Sequence, residues 1–292
     1  MIGTACTHAA VTIVNALPTG VGCALGIDLS VRARVAVRRT ALGREPKLDF
    51  TRGSGTPVVR ESVRLALDAF ATGGPWSASV ELDSDIPAGR GLKSSSAVAT
   101  AVAQATAHAF GRDPPPLEIA RIAAGAGRTS GVSATGALDD ALAGISPGFW
   151  LADCRGGTVL KRGPSGADWK VALYVPRAKH APSPTWQAAF ELRRDEGEAV
   201  VDQARAGNWW TAMRRNSELV EETMHYDYSG LRAGLIEAGA LGAGVTGMGP
   251  ALAAVAPADL APRVLDRLPL TGGFRQLVAV THAPERTRGG RS

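Results

Sequence analysis

The residues best equipped for chemistry lie in one run, Pro87-Ala88-Gly89-Arg90-Gly91-Leu92-Lys93-Ser94-Ser95-Ser96-Ala97. It stands between an alternating apolar–polar segment, residues 76–83, and an alanine-rich stretch of helical character. Such a loop leaves backbone N–H groups unpaired at a helix start. The helix dipole adds partial positive charge at the same place. Gly89 and Gly91 let the backbone approach a ligand, and Ser94, Ser95 and Ser96 add hydroxyl donors. This is the physics of a phosphate cradle, although a serine cap on an ordinary helix would explain the serines alone. The run is not a P-loop of the form G-x-x-x-x-G-K-[ST], because Lys93-Ser94 follows Leu92 rather than glycine. No G-x-G-x-x-G falls between a strand and a helix, which weighs against a dinucleotide-binding sheet.

Several elements must position this loop. Strands are expected over residues 9–16 and 27–38, separated by a glycine-rich loop. In the second, Val31, Ala33, Val35 and Val37 share one face, with Arg32, Arg34 and Arg38 on the other. An amphipathic helix is expected over 57–71, and the helix after the serines ends at Gly111 and Pro114–Pro116. A short helix over 117–124 precedes a stretch of small residues, 128–147, that contains the adjacent acids Asp139 and Asp140. Strands follow at 148–153, 157–161 and 169–175, then helices at 184–206 and 208–225. A second glycine stretch covers 239–250, before a helix near 258–267 and a strand at 274–281. Interleaved strands and helices without regular βα units predict an α+β fold. A composition shift over 155–166 marks the expected boundary between domains 1–155 and 156–292.

The 35 glycines and 18 prolines form 53 of 292 residues, against roughly 12% in average usage. They follow no collagen or linker period, so they are local backbone devices. A chain of this length fits two domains at roughly 150 residues each and buries a core without disulfides. The net charge of +5 comes from scattered basic residues, some of them in a tail with Arg286, Arg288 and Arg291. That is not the dense basic stripe of a nucleic-acid binder. Cys6, Cys23 and Cys154 make no metal or CxxC spacing and fit a reducing compartment. The histidines, His8, His180 and His225 among them, are dispersed. The apolar run at 97–110 is broken by Gln104 and His108 and falls short of the ~20 residues of a membrane span. The N-terminus lacks the basic start of a signal peptide. A cytoplasmic protein with no membrane or nucleic-acid partner is expected.

The string P-x-x-x-G-L-x-S-S-x-A within 87–97 resembles the phosphate-binding signature of the GHMP kinases. Asn15-Ala-Leu-Pro-Thr-Gly-Val-Gly22 resembles the first motif of that superfamily, and Gly242-Ala-Gly-Val-Thr-Gly-Met-Gly-Pro250 its third. Lys93–Ser96, Gly131–Ala141 and the run Gly207–Asn216 are similar to the archaeal-type shikimate kinases. The resemblance implies a two-domain fold, with a ribosomal-protein-type N-terminal domain and a ferredoxin-like α/β sandwich at the C-terminus. It implies a monomer or homodimer that moves the γ-phosphoryl of ATP, with Mg²⁺, to the 3-hydroxyl of shikimate in aromatic amino-acid biosynthesis. Another small alcohol as acceptor (homoserine, mevalonate or a cyclitol) and a non-catalytic nucleotide sensor are the alternatives.

The same resemblance assigns roles. Pro87, Gly89, Arg90, Gly91, Leu92, Lys93, Ser94, Ser95, Ser96 and Ala97, with Gly247 and Gly249, would hold ATP. Ser95 would approach the metal as well. Asp139 matches the catalytic aspartate, either as general base or as an electrostatic and positioning group. Asp140 would be a structural charge, because adjacent helical residues point about 100° apart. Many GHMP kinases carry a further metal-binding acid upstream, but residues 121–127 contain none. Shikimate bears a carboxylate and three hydroxyls, and its candidate ligands are Asn15, Thr19, Arg128, Ser130, Ser133 and Thr135. Trp209, Trp210 and Met213 are expected in the core.

Overall fold

A computed structural model describes residues 1–40, 47–50, 55–177 and 184–281. Arg286, Arg288, Arg291 and His180 lie outside the described residues. The backbone begins with a long antiparallel pair, β1 (Ile2–Val14) and β2 (Val21–Arg39). β3 (Leu48–Phe50), helix α1 (Pro57–Phe70) and β4 (Trp76–Ser84) follow. The serine run opens α2 (Ser94–Ala109), and α3 (Pro116–Thr129) and α4 (Leu138–Ile145) come next. Strands β5 (Phe149–Asp153) and β6 (Thr158–Gly163) complete the first sheet, ordered β3-β4-β2-β5-β6 with β1 on the other edge of β2.

β2 is the organising strand. One edge pairs with β1, while the other pairs with β5 over its first residues and β4 over its last. The alternation of Val31, Ala33, Val35 and Val37 is buried as expected. The strand starts earlier than its pattern suggested, because Gly22 and Gly26 continue the extended backbone instead of forming a loop. Both are strand glycines where another chain segment comes close. A Cβ on Gly26 would sit 2.2 Å from the Ala143 carbonyl oxygen, and one on Gly22 would sit 2.5 Å from an Asp139 carboxylate oxygen. Glycine here lets α4 press onto the sheet.

The second sheet begins with β7 (Trp169–Pro176). Helices α5 (Pro184–Glu191), α6 (Arg194–Ala206), α7 (Trp209–Met224) and α8 (Ser229–Glu237) follow. Then come β8 (Gly242–Val245), β9 (Leu252–Pro257), α9 (Ala261–Asp266) and β10 (Gly273–Ala279). The order β10-β7-β9-β8 is antiparallel throughout. This split β-α-β arrangement is ferredoxin-like. The single helix expected over 184–206 is two, broken at residues 192–193. β6 pairs with β5, so the chain leaves the first sheet after Gly163, inside the interval 155–166.

One apolar cluster runs through both sheets, joining Val11, Leu25 and Val35 to Leu173, Ala253 and Met213. Phe149 stacks on Trp209 with centroids 4.8 Å apart, and Trp210 meets it edge-on at 5.4 Å. Trp209, Trp210 and Met213 therefore pack the core, as expected. The sheets also join through backbone, since Thr281 N–H donates to the Gly26 carbonyl at 3.0 Å. No helix among the described residues is long and apolar enough to cross a membrane.

Candidate active site

The cradle loop passes from β4 to α2 through three left-handed residues, Gly89 (φ 69°), Gly91 (φ 86°) and Lys93 (φ 63°). Lys93 is the residue before α2, and its carbonyl accepts the Ala97 N–H at 3.0 Å. Ser95 is exposed, while Ser94 and Ser96 are half-buried. The first turn of α2 holds no acidic residue. Its N–H groups and the helix dipole are thus left for an external anion.

Gly91 lies against the third glycine segment. A Cβ there would come within 2.1 Å of the Thr246 carbonyl oxygen, so no side chain fits. Thr246 Oγ1 donates to the Gly91 carbonyl at 2.9 Å and accepts the Thr12 N–H at 3.1 Å. Gly247 N–H donates to Thr12 Oγ1 at 2.8 Å. Asn15 Nδ2 donates to the Gly247 carbonyl at 3.1 Å, and Asn15 N–H donates to Asn216 Oδ1 at 2.7 Å. Arg90 donates to the Pro176 carbonyl. Tyr226 and Tyr228 donate to the carbonyls of Met248 and Pro250 at 3.0 and 3.1 Å. The three glycine motifs therefore form one hydrogen-bonded assembly across both sheets. Thr12, Thr246 and Asn216 make it. Thr246 lies inside the third glycine run and Asn216 ends the run Gly207–Asn216, but neither was assigned a role from the sequence.

The acids enter on α4. Its preceding residue, Ala137, is also left-handed, at φ 55°. Asp139 and Asp140 are 3% and 6% exposed. Lys93 Nζ lies 3.2 Å from Asp140 Oδ2, which ties the cradle to α4. Asp140 Oδ1 is buried and finds no hydrogen-bond partner among the described residues. Asp139 Oδ1 instead accepts the Cys154 thiol at 3.1 Å. Burial, reinforced by the neighbouring Asp140 charge and partly offset by Lys93, pushes the Asp139 carboxyl up to about 7. Burial also raises Asp140, against the pull of Lys93. For Lys93, burial acts downward, but the two carboxylates outweigh it and hold the ammonium above its usual range. Two acids share one cation in a dry site.

No group of three or more His, Cys, Asp or Glu side chains among the described residues could hold a metal. A divalent ion here would take the unpaired oxygen of Asp140, serine hydroxyls and phosphate oxygens. That hard-oxygen set suits Mg²⁺.

Each of the expected acceptor ligands makes a hydrogen bond to backbone. Asn15 Oδ1 accepts the Leu17 N–H at 2.9 Å, and Thr19 Oγ1 accepts the Val21 N–H at 3.0 Å. Ser133 Oγ accepts the Gly136 N–H at 3.0 Å, and Thr135 Oγ1 accepts the Ala137 N–H at 3.4 Å. Ser130 Oγ donates to the Gly127 carbonyl at 3.2 Å. Arg128 Nη1 donates to the carbonyls of Cys154 and Thr135 at 3.2 and 3.4 Å.

The family "GHMP kinases N terminal domain" matches residues 58–148. A shikimate kinase of Methanosarcina acetivorans is 33% identical over 257 residues, covering 88% of this chain and 86% of that protein. One from Thermococcus kodakarensis is 34% identical over 228 residues, covering 77% and 80%. Among solved structures, L. major mevalonate kinase in complex with R-mevalonate superposes with TM-score 0.68 at 15% identity, covering 96% of this chain and 97% of that one. A homoserine kinase from Cytophaga hutchinsonii gives 0.66 at 16% identity, covering 95% of each. At these identities the solved structures speak for the fold.

Proposed function

The chain belongs to the GHMP kinases, a family of ATP-dependent small-molecule kinases, and on that premise we propose that its acceptor is the 3-hydroxyl of shikimate. The curated shikimate kinases, similar over most of their length, support this acceptor. The arrangement that carries the reading is the pairing of an acid-free helix start at Ser94–Ser96 with the half-buried Lys93 and the buried Asp139 and Asp140.

Phosphoryl transfer asks a protein mainly for position and electrostatic cover. In this reading the backbone of Gly89–Ser96 and the α2 dipole receive the phosphate oxygens, with Gly247 and Gly249 closing from the other side. The acceptor oxygen forms a bond to the γ-phosphorus as the bond to the β–γ bridging oxygen breaks and ADP leaves. The hydroxyl proton passes to Asp139, whose carboxyl near neutrality matches a proton acceptor at physiological pH. Lys93 balances the acids and keeps the Asp140 carboxylate beside the cradle. Asp140 and the serine hydroxyls would hold Mg²⁺, which would supply neutralisation of the phosphate charge. The free cysteines fit a reducing, cytoplasmic setting.

A panel of acceptors tests the assignment. ADP release is measured with ATP, Mg²⁺ and shikimate, homoserine, mevalonate or a cyclitol. The expected result is the highest kcat/KM with shikimate. A preference of about tenfold or more for another acceptor, about 1.4 kcal/mol of transition-state discrimination, rejects shikimate.

A further inference from the structure

A chain of contacts runs from Arg128 at the end of α3 through Cys154, just after β5, to Asp139 on α4. We propose that Cys154 is a positioning residue for the Asp139 carboxylate, and that Arg128 holds Cys154 and the start of α4 in register rather than binding the acceptor. The proposal rests on the reading above, in which Asp139 takes the hydroxyl proton.

The geometry is specific. The Cys154 thiol donates to Asp139 Oδ1 at 3.1 Å, and both residues are buried. The backbone of Gly22 stands against the other oxygen, so the carboxylate is bounded on both sides. Cys154 is itself pinned at both of its backbone groups. Its N–H donates to the Gly20 carbonyl at 2.9 Å, in the first glycine motif. Its carbonyl accepts Arg128 Nη1 at 3.2 Å. The same nitrogen reaches the Thr135 carbonyl at 3.4 Å, two residues before the left-handed Ala137 that starts α4. One guanidinium therefore fastens both the strand end that carries the thiol and the loop that delivers the acid.

The chemistry explains why a thiol can do this. A buried thiol beside a carboxylate stays protonated, because burial and then the Asp139 charge drive it well above its usual range. It acts as a donor, to Asp139 Oδ1 at 3.1 Å and more distantly to the Ala152 carbonyl at 3.7 Å, and a donor to a carboxylate favours the ionised form. The charged and titratable groups facing Asp139 are Asp140 on α4, Lys93 before α2, Cys23 on β2 and Cys154 after β5. Lys93 is committed to Asp140, and burial holds Cys23 in the thiol form. Cys154 is thus the side-chain donor that addresses Asp139 directly, opposing the upward push of burial and Asp140.

The test is acceptor turnover at saturating ATP and Mg²⁺, read separately as kcat and acceptor KM. Wild type, Cys154→Ala, Cys154→Ser, Arg128→Gln and Asp139→Asn are compared. Losing the donor that fixes the carboxylate is expected to lower kcat in Cys154→Ala about three- to tenfold. The acceptor KM stays within about threefold. Cys154→Ser, which restores a donor, returns kcat toward the wild-type value. Arg128→Gln lowers kcat with KM within about threefold, whereas a lost substrate ligand would raise KM. A wild-type kcat in Cys154→Ala, or an Arg128→Gln defect confined to KM, overturns the proposal. The S–H stretch of Cys154 gives a readout free of activity and of the alanine variant's folding. It is expected at the low frequency of a hydrogen-bonded thiol in wild type and to rise in Asp139→Asn, and an unchanged band contradicts the contact. The two readings fail differently. Asp139→Asn with wild-type turnover removes the proton-acceptor role and this proposal with it, while a crippled Asp139→Asn with a wild-type kcat in Cys154→Ala removes this proposal alone.

Discussion

The helix starts of α2 and α4 are built alike and used oppositely. Both follow a left-handed residue that is not glycine, Lys93 and Ala137. Both present a dipole that favours negative charge. At α2 the first turn offers serines and no acid, so the anion must come from outside. At α4 the first turn carries its own anions, Asp139 and Asp140. Lys93 bridges the two ends, belonging to the first by sequence and to the second by contact. In the proposed mechanism a cradle of backbone for phosphate thus faces a pair of charges for a proton and a cation. Left-handed backbone at non-glycine positions is costly, and it concentrates where function over-determines the structure.

Removing the bridge is the harshest way to break this comparison. Lys93→Met leaves two buried acids with no cation, and breaking such a pair costs on the order of 3–5 kcal/mol. Chemical denaturation is expected to show that loss, and turnover at neutral pH falls because Asp139 titrates still higher.

A stability gain in an inactive variant sharpens the contrast. The Asp139 carboxyl sits at about 7 in the folded chain against 3.8 for an unperturbed aspartate, so the folded state binds the extra proton. Stability from this group is therefore full below its unfolded pKa and falls as pH rises from about 4 to about 7. Asp139→Asn escapes that loss. It is expected to be more stable than wild type by on the order of 1–3 kcal/mol at pH 8, with little difference near pH 4. Melting curves at the two pH values check this, and equal gains at both would refute the linkage.

On the cradle side the damage is steric. Gly91→Ala puts a Cβ against the Thr246 carbonyl at a left-handed residue, which costs about 1–3 kcal/mol of strain. The expected outcome is a raised KM for ATP, with acceptor KM little changed. Thr246→Val is milder. It removes the hydroxyl that donates to Gly91 and accepts from Thr12, worth about 1–2 kcal/mol, and isothermal nucleotide titration should register a several-fold loss of affinity.

The two regions were not equally legible. The cradle was readable because its function resides in residue type, with glycines and serines at a fixed place before an alanine-rich helix. The ferredoxin-like half was expected only from the family resemblance, which the third glycine motif helped to carry. α4 was harder, since Leu138–Ile145 is short and follows a glycine-rich approach that hides its period. Asn15, Asn216 and Thr246 lie in runs that carry the family resemblance, but the seam they make with Thr12 was not legible, because its hydrogen bonds join residues more than 200 positions apart. β2 misled for a different reason. Gly22 and Gly26 read as a loop, yet they mark a strand across which a helix presses close. Arg128 and the nearby serines and threonines were expected as ligands for a polyol, and each also makes a backbone hydrogen bond that the sequence pattern does not announce.

The account turns on the separation of binding from chemistry between the two helix starts. A single-turnover measurement on Asp139→Asn, with nucleotide affinity determined on the same preparation, tests it most directly. The account predicts wild-type affinity for ATP and phosphoryl transfer to shikimate slowed by about 10²–10⁴-fold. Transfer within about threefold of wild type, or affinity lost in step with turnover, would contradict it.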